Sequence, residues 1–152
     1  MPGTFFALVM VLAGPPSGGE KQALWTAIDD LRRTEVLYEA VLAQPRKRKL
    51  RPFPRILREK KRHEQRLVKL AIKRGYGDPP VLWDRGDVSV PIGKKGSCAA
   101  AVGQELRNAA IYETAMALPL APSVMSAFRA IHRRVRNRHI PNFEACVRLA
   151  KD

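Results

Sequence analysis

Apolar residues recur at intervals of three and four in four separate stretches of the chain, the period that gathers them on one face of an α-helix. In the first stretch, Glu20 to about Ala43, the stripe is Leu24, Ile28, Leu31, Tyr38 and Leu42. Gln44-Pro45-Arg46-Lys47-Arg48-Lys49-Leu50-Arg51-Pro52 interrupts it, and the period resumes from Phe53 to Arg74 through Ile56, Leu57, Leu67, Leu70 and Ala71. Gly75-Tyr76-Gly77-Asp78-Pro79-Pro80 should end that helix, because glycine takes the left-handed cap and proline cannot continue. A third helix is predicted from Ser97 to about Leu118, with Val102, Leu106, Ala109, Ala110 and Met116 inward. Ser123 is the expected cap of a fourth, where Val124, Phe128, Ile131, Val135, Phe143, Cys146 and Leu149 keep the stripe and Pro141 should kink the helix near Asn137. Val81 to Gly96 reads as an irregular crossover, with at most one short extended piece at Val88–Ile92.

Two short connections and one long one predict two helical hairpins side by side: an all-α, antiparallel four-helix bundle over residues 20–152, with its longer crossover between helices 2 and 3. Residues 1–19 form a hydrophobic leader, in which the apolar run Phe5 to Gly14 has the length of a signal-peptide core but no Lys or Arg before it. It reads as an export signal, placing the protein outside the cytoplasm or in a periplasm, or as an arm on a cytoplasmic protein. It is too short to span a bilayer, so no transmembrane span is expected.

The informative positions are polar residues where the period reserves space for the core. Glu35 follows Leu31 and precedes Tyr38, and Glu105 lies between Val102 and Ala109. His63 falls between Lys60 and Leu67, and His139 between Val135 and Phe143. Counted from each turn, Glu35 is level with His63 and Glu105 with His139. A buried carboxylate needs a cation, a donor or a metal, and two Glu with two His inside four helices form the skeleton of a carboxylate-bridged di-metal site.

On Asp29-Asp30-Leu31-Arg32-Arg33-Thr34-Glu35-Val36-Leu37-Tyr38, the segment Phe53 to His63, and Asn137-Arg138-His139-Ile140-Pro141-Asn142-Phe143, the chain resembles the ferritin-like superfamily, in particular small bacterial domains related to rubrerythrin. The resemblance implies metal ligands at Glu35, His63, Glu105 and His139. It also implies a Glu three residues before each His, where this chain has Lys60 and Arg136. Two readings follow: one divalent ion (iron, manganese or zinc) on the four ligands, or no metal, with Lys60 and Arg136 neutralising Glu35 and Glu105. Glu59 and Glu113 are substitute ligands, although the stripe turns Glu59 outward. Tyr38 and Tyr112 read as core tyrosines or redox neighbours of a metal, and His132 as solvent-side.

Charge adds a second function class. Lys and Arg number 28 against 14 Asp and Glu, a formal net charge of +14. Fourteen of the cations and only two Glu lie between Arg46 and Arg74, and helix four adds Arg129, Arg133, Arg134, Arg136 and Arg138. The loop Arg46, Lys47, Arg48, Lys49 is the expected polyanion-binding segment, and the alternative function is a non-enzymatic basic scaffold or assembly protein for nucleic acid, anionic lipid or an acidic protein. The basic loop and helix 4 would meet that partner, and a homodimer is a further expectation. No Gly-rich phosphate loop, activated cysteine or zinc-finger spacing is present. Cys98 and Cys146 should come level on helices three and four, as a disulfide or as two apolar thiols.

Overall fold

The computed structural model describes residues 18–45 and 50–151, so most of the expected leader and the loop Arg46 to Lys49 lie outside the described residues. The chain is all-α: α1 (Gly18–Leu42), α2 (Phe53–Lys73), α3 (Lys94–Ala115), α4 (Pro122–Arg134) and α5 (Ile140–Leu149). A π-helical segment, Val135–His139, joins α4 to α5 without a break. The crossover holds one 3₁₀ turn, Arg85–Asp87, and the described residues contain no strand, including at Val88–Ile92. No helix among them is long and apolar enough to cross a membrane.

Local chemistry sets the ends. Pro54 sits in the first turn of α2, where a missing N–H costs nothing. Gly75, at φ +81°, closes the same helix: its N–H bonds to the Ile72 carbonyl and that of Tyr76 to the Ala71 carbonyl, at 3.0 and 2.9 Å. The third helix begins at Lys94 rather than Ser97, which is buried and donates to the Pro91 carbonyl. Ser123 is not a cap. α4 starts at Pro122 behind Ala121, whose N–H is taken by the Glu20 carboxylate at 2.6 Å. Pro141 cannot donate to the carbonyl four residues back, at Asn137, and the expected kink takes the form of the π segment around that residue.

α1 packs chiefly on α2, and α3 on α5. The core divides into two apolar clusters. One holds Leu24, Ile28, Leu31, Leu67, Tyr112, Phe128 and Ile131. The other holds Tyr38, Phe53, Ile56, Phe143, Cys98 and Cys146. In the second, Tyr38, Phe53 and Phe143 meet with ring centroids 4.8 to 5.5 Å apart, and a disulfide joins Cys98 of α3 to Cys146 of α5. Leu106 and Leu149, expected inward, are exposed.

Between the clusters the first three helices and the π segment contribute buried polar residues. α1 supplies Asp30 and Thr34, α2 supplies Glu59 and Lys60, α3 supplies Gln104, Glu105 and Asn108, and the π segment supplies His139. This belt is the polar interior of the molecule.

Candidate functional site

Glu105 is the centre of the belt and has no exposed surface. One oxygen accepts from the Tyr38 hydroxyl at 2.6 Å. The other accepts from the Lys60 ammonium at 2.7 Å and lies 3.2 Å from Nδ1 of His139. Lys60, equally buried, also donates to Asn108 Oδ1 at 3.0 Å, and Asn108 in turn donates to Asp30 at 2.8 Å. Gln104 and Arg107 donate to the other Asp30 oxygen. On the far side of His139, Nε2 is 2.8 Å from Glu59, which Arg134 grips with two nitrogens at 2.7 Å each. The chain of contacts therefore runs from Asp30 on α1 to Arg134 on α4 through Lys60 and Glu59 of α2.

Electrostatics follow this wiring. Burial pushes the Glu105 carboxyl up, but the Lys60 charge and the bond from His139 outweigh it and hold the group below the usual carboxylate range. Glu59 is likewise held below the usual carboxylate range by the Arg134 fork, against its own burial and with help from His139. The Tyr38 hydroxyl is raised, first by burial and then by the Glu105 charge it donates to. His139 faces acceptor-only carboxylates on both sides, so the imidazolium satisfies both while a neutral ring satisfies one.

The four ligands expected from sequence do not converge. Glu105 and His139 touch, as their levels in the hairpin required. His63 stacks on His139 with centroids 6.1 Å apart, and its buried Nδ1 has no partner among the described residues. Burial, then the charges of Lys60 and His139, lower the His63 pKa to about 3, so the ring is neutral. Glu35 is only half-buried, at the α1–α2 edge. Its surroundings are Glu64, Lys61, Glu39 and Arg32, and one of its oxygens is buried with no partner among the described residues. Burial and the Glu64 charge raise it to about 7.

Two further expectations are overturned. Glu59 points inward, 7% exposed, because α2 is buried over a wide arc at this level and takes both Glu59 and Lys60 into the belt. Arg136 is on the surface, bound with His132 to the exposed Glu113, and the cation that reaches the belt from this run is Arg134. Glu113 is thereby outside the belt as well. Lys60 does neutralise a stripe carboxylate, Glu105 rather than Glu35.

The donor set does not fit a divalent ion. Each nitrogen of His139 is committed to a carboxylate, and an ammonium occupies the Glu105 oxygen that a metal would take. Among the described residues no group of three or more His, Cys, Asp or Glu is arranged to hold a metal. Comparison of the chain with protein-family models, with curated proteins and with solved structures finds no match.

Proposed function

We propose that this chain is a non-enzymatic, basic helical scaffold: a ferritin-like, antiparallel four-helix bundle whose metal site has degenerated into an ion-pair network, and whose outer surface binds an anionic partner. The observation that carries the reading is the fully buried Lys60 ammonium 2.7 Å from Glu105. It supplies the positive charge that the carboxylate skeleton of such a core demands, in the space a metal ion would need.

The order in which the helices visit the two apolar clusters supports the topology. α1 runs from the Leu24 cluster to the Tyr38 cluster, and α2 and α3 run the other way, from Phe53 to Leu67 and from Cys98 to Tyr112. The run from Val124 to Cys146 returns in the direction of α1. Neighbours α1 and α2 then oppose each other, as do α3 and α4–α5, while α2 and α3 point the same way across the long crossover.

Purified protein incubated in turn with iron, manganese and zinc, then desalted, should retain less than about a tenth of an equivalent of each by elemental analysis. It should also bind heparin, with retention that falls steeply as salt rises. Stoichiometric metal would overturn the degenerate-site reading, and failure to bind heparin at low salt would overturn the scaffold reading.

A further inference from the structure

Beside the belt, α2 and α4 enclose an open groove of about 440 Å³. Arg62, His63 and Arg66 line it from α2, and Ala130, Ile131 and Arg134 from α4. Its one carboxylate, Glu59, is already satisfied by Arg134 and His139. Arg62 and Arg66 make no ion pair among the described residues. Arg134 spends Nε and Nη2 on Glu59, and the rest of its five N–H donors have no acceptor among the described residues. The neutral His63 ring has one N–H and no protein acceptor for it among the described residues. Donors without acceptors thus converge on one concavity, a form that suits a tetrahedral oxyanion.

The groove sits on a longer row of charge. Arg58, Arg62, Arg66, Lys69 and Lys73 follow each other at spacings of three and four along α2, and all are exposed. At 1.5 Å per residue the row is about 22 Å long. From Arg58 to Lys69 every exposed residue is Arg or Lys except Gln65, with no large apolar side chain to enter a lipid layer and no aromatic ring to stack on a base. Arg129 and Arg133, exposed on α4, widen the row on the other side of the groove. Linear spacing, uncompensated arginines and a row whose single exposed large apolar side chain, Ile72, stands only at its far end favour a linear phosphate polymer over a lipid layer.

We infer that the α2–α4 face is a nucleic-acid backbone site, reading no sequence, with one phosphate seated in the groove among Arg62, Arg66, Arg134 and His63. This deepens the scaffold reading and rests on it. It places the contact on the helices, independently of the loop Arg46 to Lys49.

Binding of a mixed-sequence DNA duplex, followed by fluorescence anisotropy over a series of salt concentrations, tests it on the full chain. The Arg62→Gln, Arg66→Gln double variant should weaken binding at least tenfold and reduce the slope of log affinity against log salt by about two, since each lost phosphate contact removes about 0.9. Lys94→Gln with Lys95→Gln, an equal loss of charge at the start of α3, should leave affinity within about twofold. Equal weakening by both pairs would overturn the groove and leave the scaffold reading standing. Binding to vesicles of phosphatidylserine and phosphatidylcholine but not to DNA would overturn the nucleic-acid assignment alone. Failure to bind DNA, vesicles and heparin at low salt would overturn both readings.

Discussion

At the centre of the belt, Glu105 accepts from Tyr38 and Lys60 and faces His139, whereas at the α1–α2 edge Glu35 has a buried oxygen with no partner among the described residues and two more carboxylates, Glu39 and Glu64, around it. Both residues interrupt an apolar stripe in the same way. Glu105 is the more deeply buried, yet its carboxyl is held low while that of Glu35 rises to about 7. Depth of burial therefore does not decide whether a carboxylate stays charged. The number and sign of the groups brought to it by other helices do.

The comparison breaks most severely at Lys60. Lys60→Met should leave Glu105 buried without its cation and cost about 3 to 5 kcal/mol in denaturant unfolding, while adding Glu105→Gln should restore a large part of the loss. A cost under about 1 kcal/mol would mean that Tyr38 and His139 suffice. Arg134→Ala is expected to cost less, about 1 to 2 kcal/mol, because its head is partly exposed and water can replace it on Glu59 while His139 remains.

The smallest effect sharpens the contrast through pH. Glu35 has a folded value near 7, above its ordinary 4.5, so the folded state holds the proton more tightly and stability falls as pH rises across that window. Glu35→Gln should then gain on the order of 1 kcal/mol over wild type at about pH 8 and nothing at about pH 4, solvent at this edge screening the rest. Glu59 and Glu105 are shifted the opposite way. Their contribution is present above the ordinary carboxylate range and is lost as pH falls through their folded values.

The four predicted helical stretches follow from periodicity and breakers, because a cap such as Gly75 acts locally whatever the tertiary packing; that the fourth runs as α4, a π segment and α5 was legible only as a kink at Pro141. The contact of Glu105 with His139 was legible for a similar reason: equal distances from one turn bring residues level. Glu59 was not legible, since a single narrow stripe cannot show that α2 meets both α3 and the π segment at that height. Arg134 and Arg136 exchanged roles for a related cause, as the widened turn shifts the rotational phase that a uniform count assumes. The groove escaped notice because Arg62 and Arg66 look like an ordinary solvated face until α4 is set beside them.

The widened turn also has a bearing on insertions and deletions. Each residue of a regular helix advances the azimuth by about 100°, and a π turn absorbs one extra residue without ending the rod. α4 is thus oriented by Phe128 and Ile131 against one apolar cluster, and α5 by Phe143 and the Cys98–Cys146 crosslink against the other. Between them Arg136, Asn137 and Arg138 are exposed, so the side chains there are free to vary. Their number is constrained in one direction: one residue fewer turns the wide turn into a regular one with α5 still in phase, whereas one more would rotate α5 by about 100° and carry Cys146 away from Cys98.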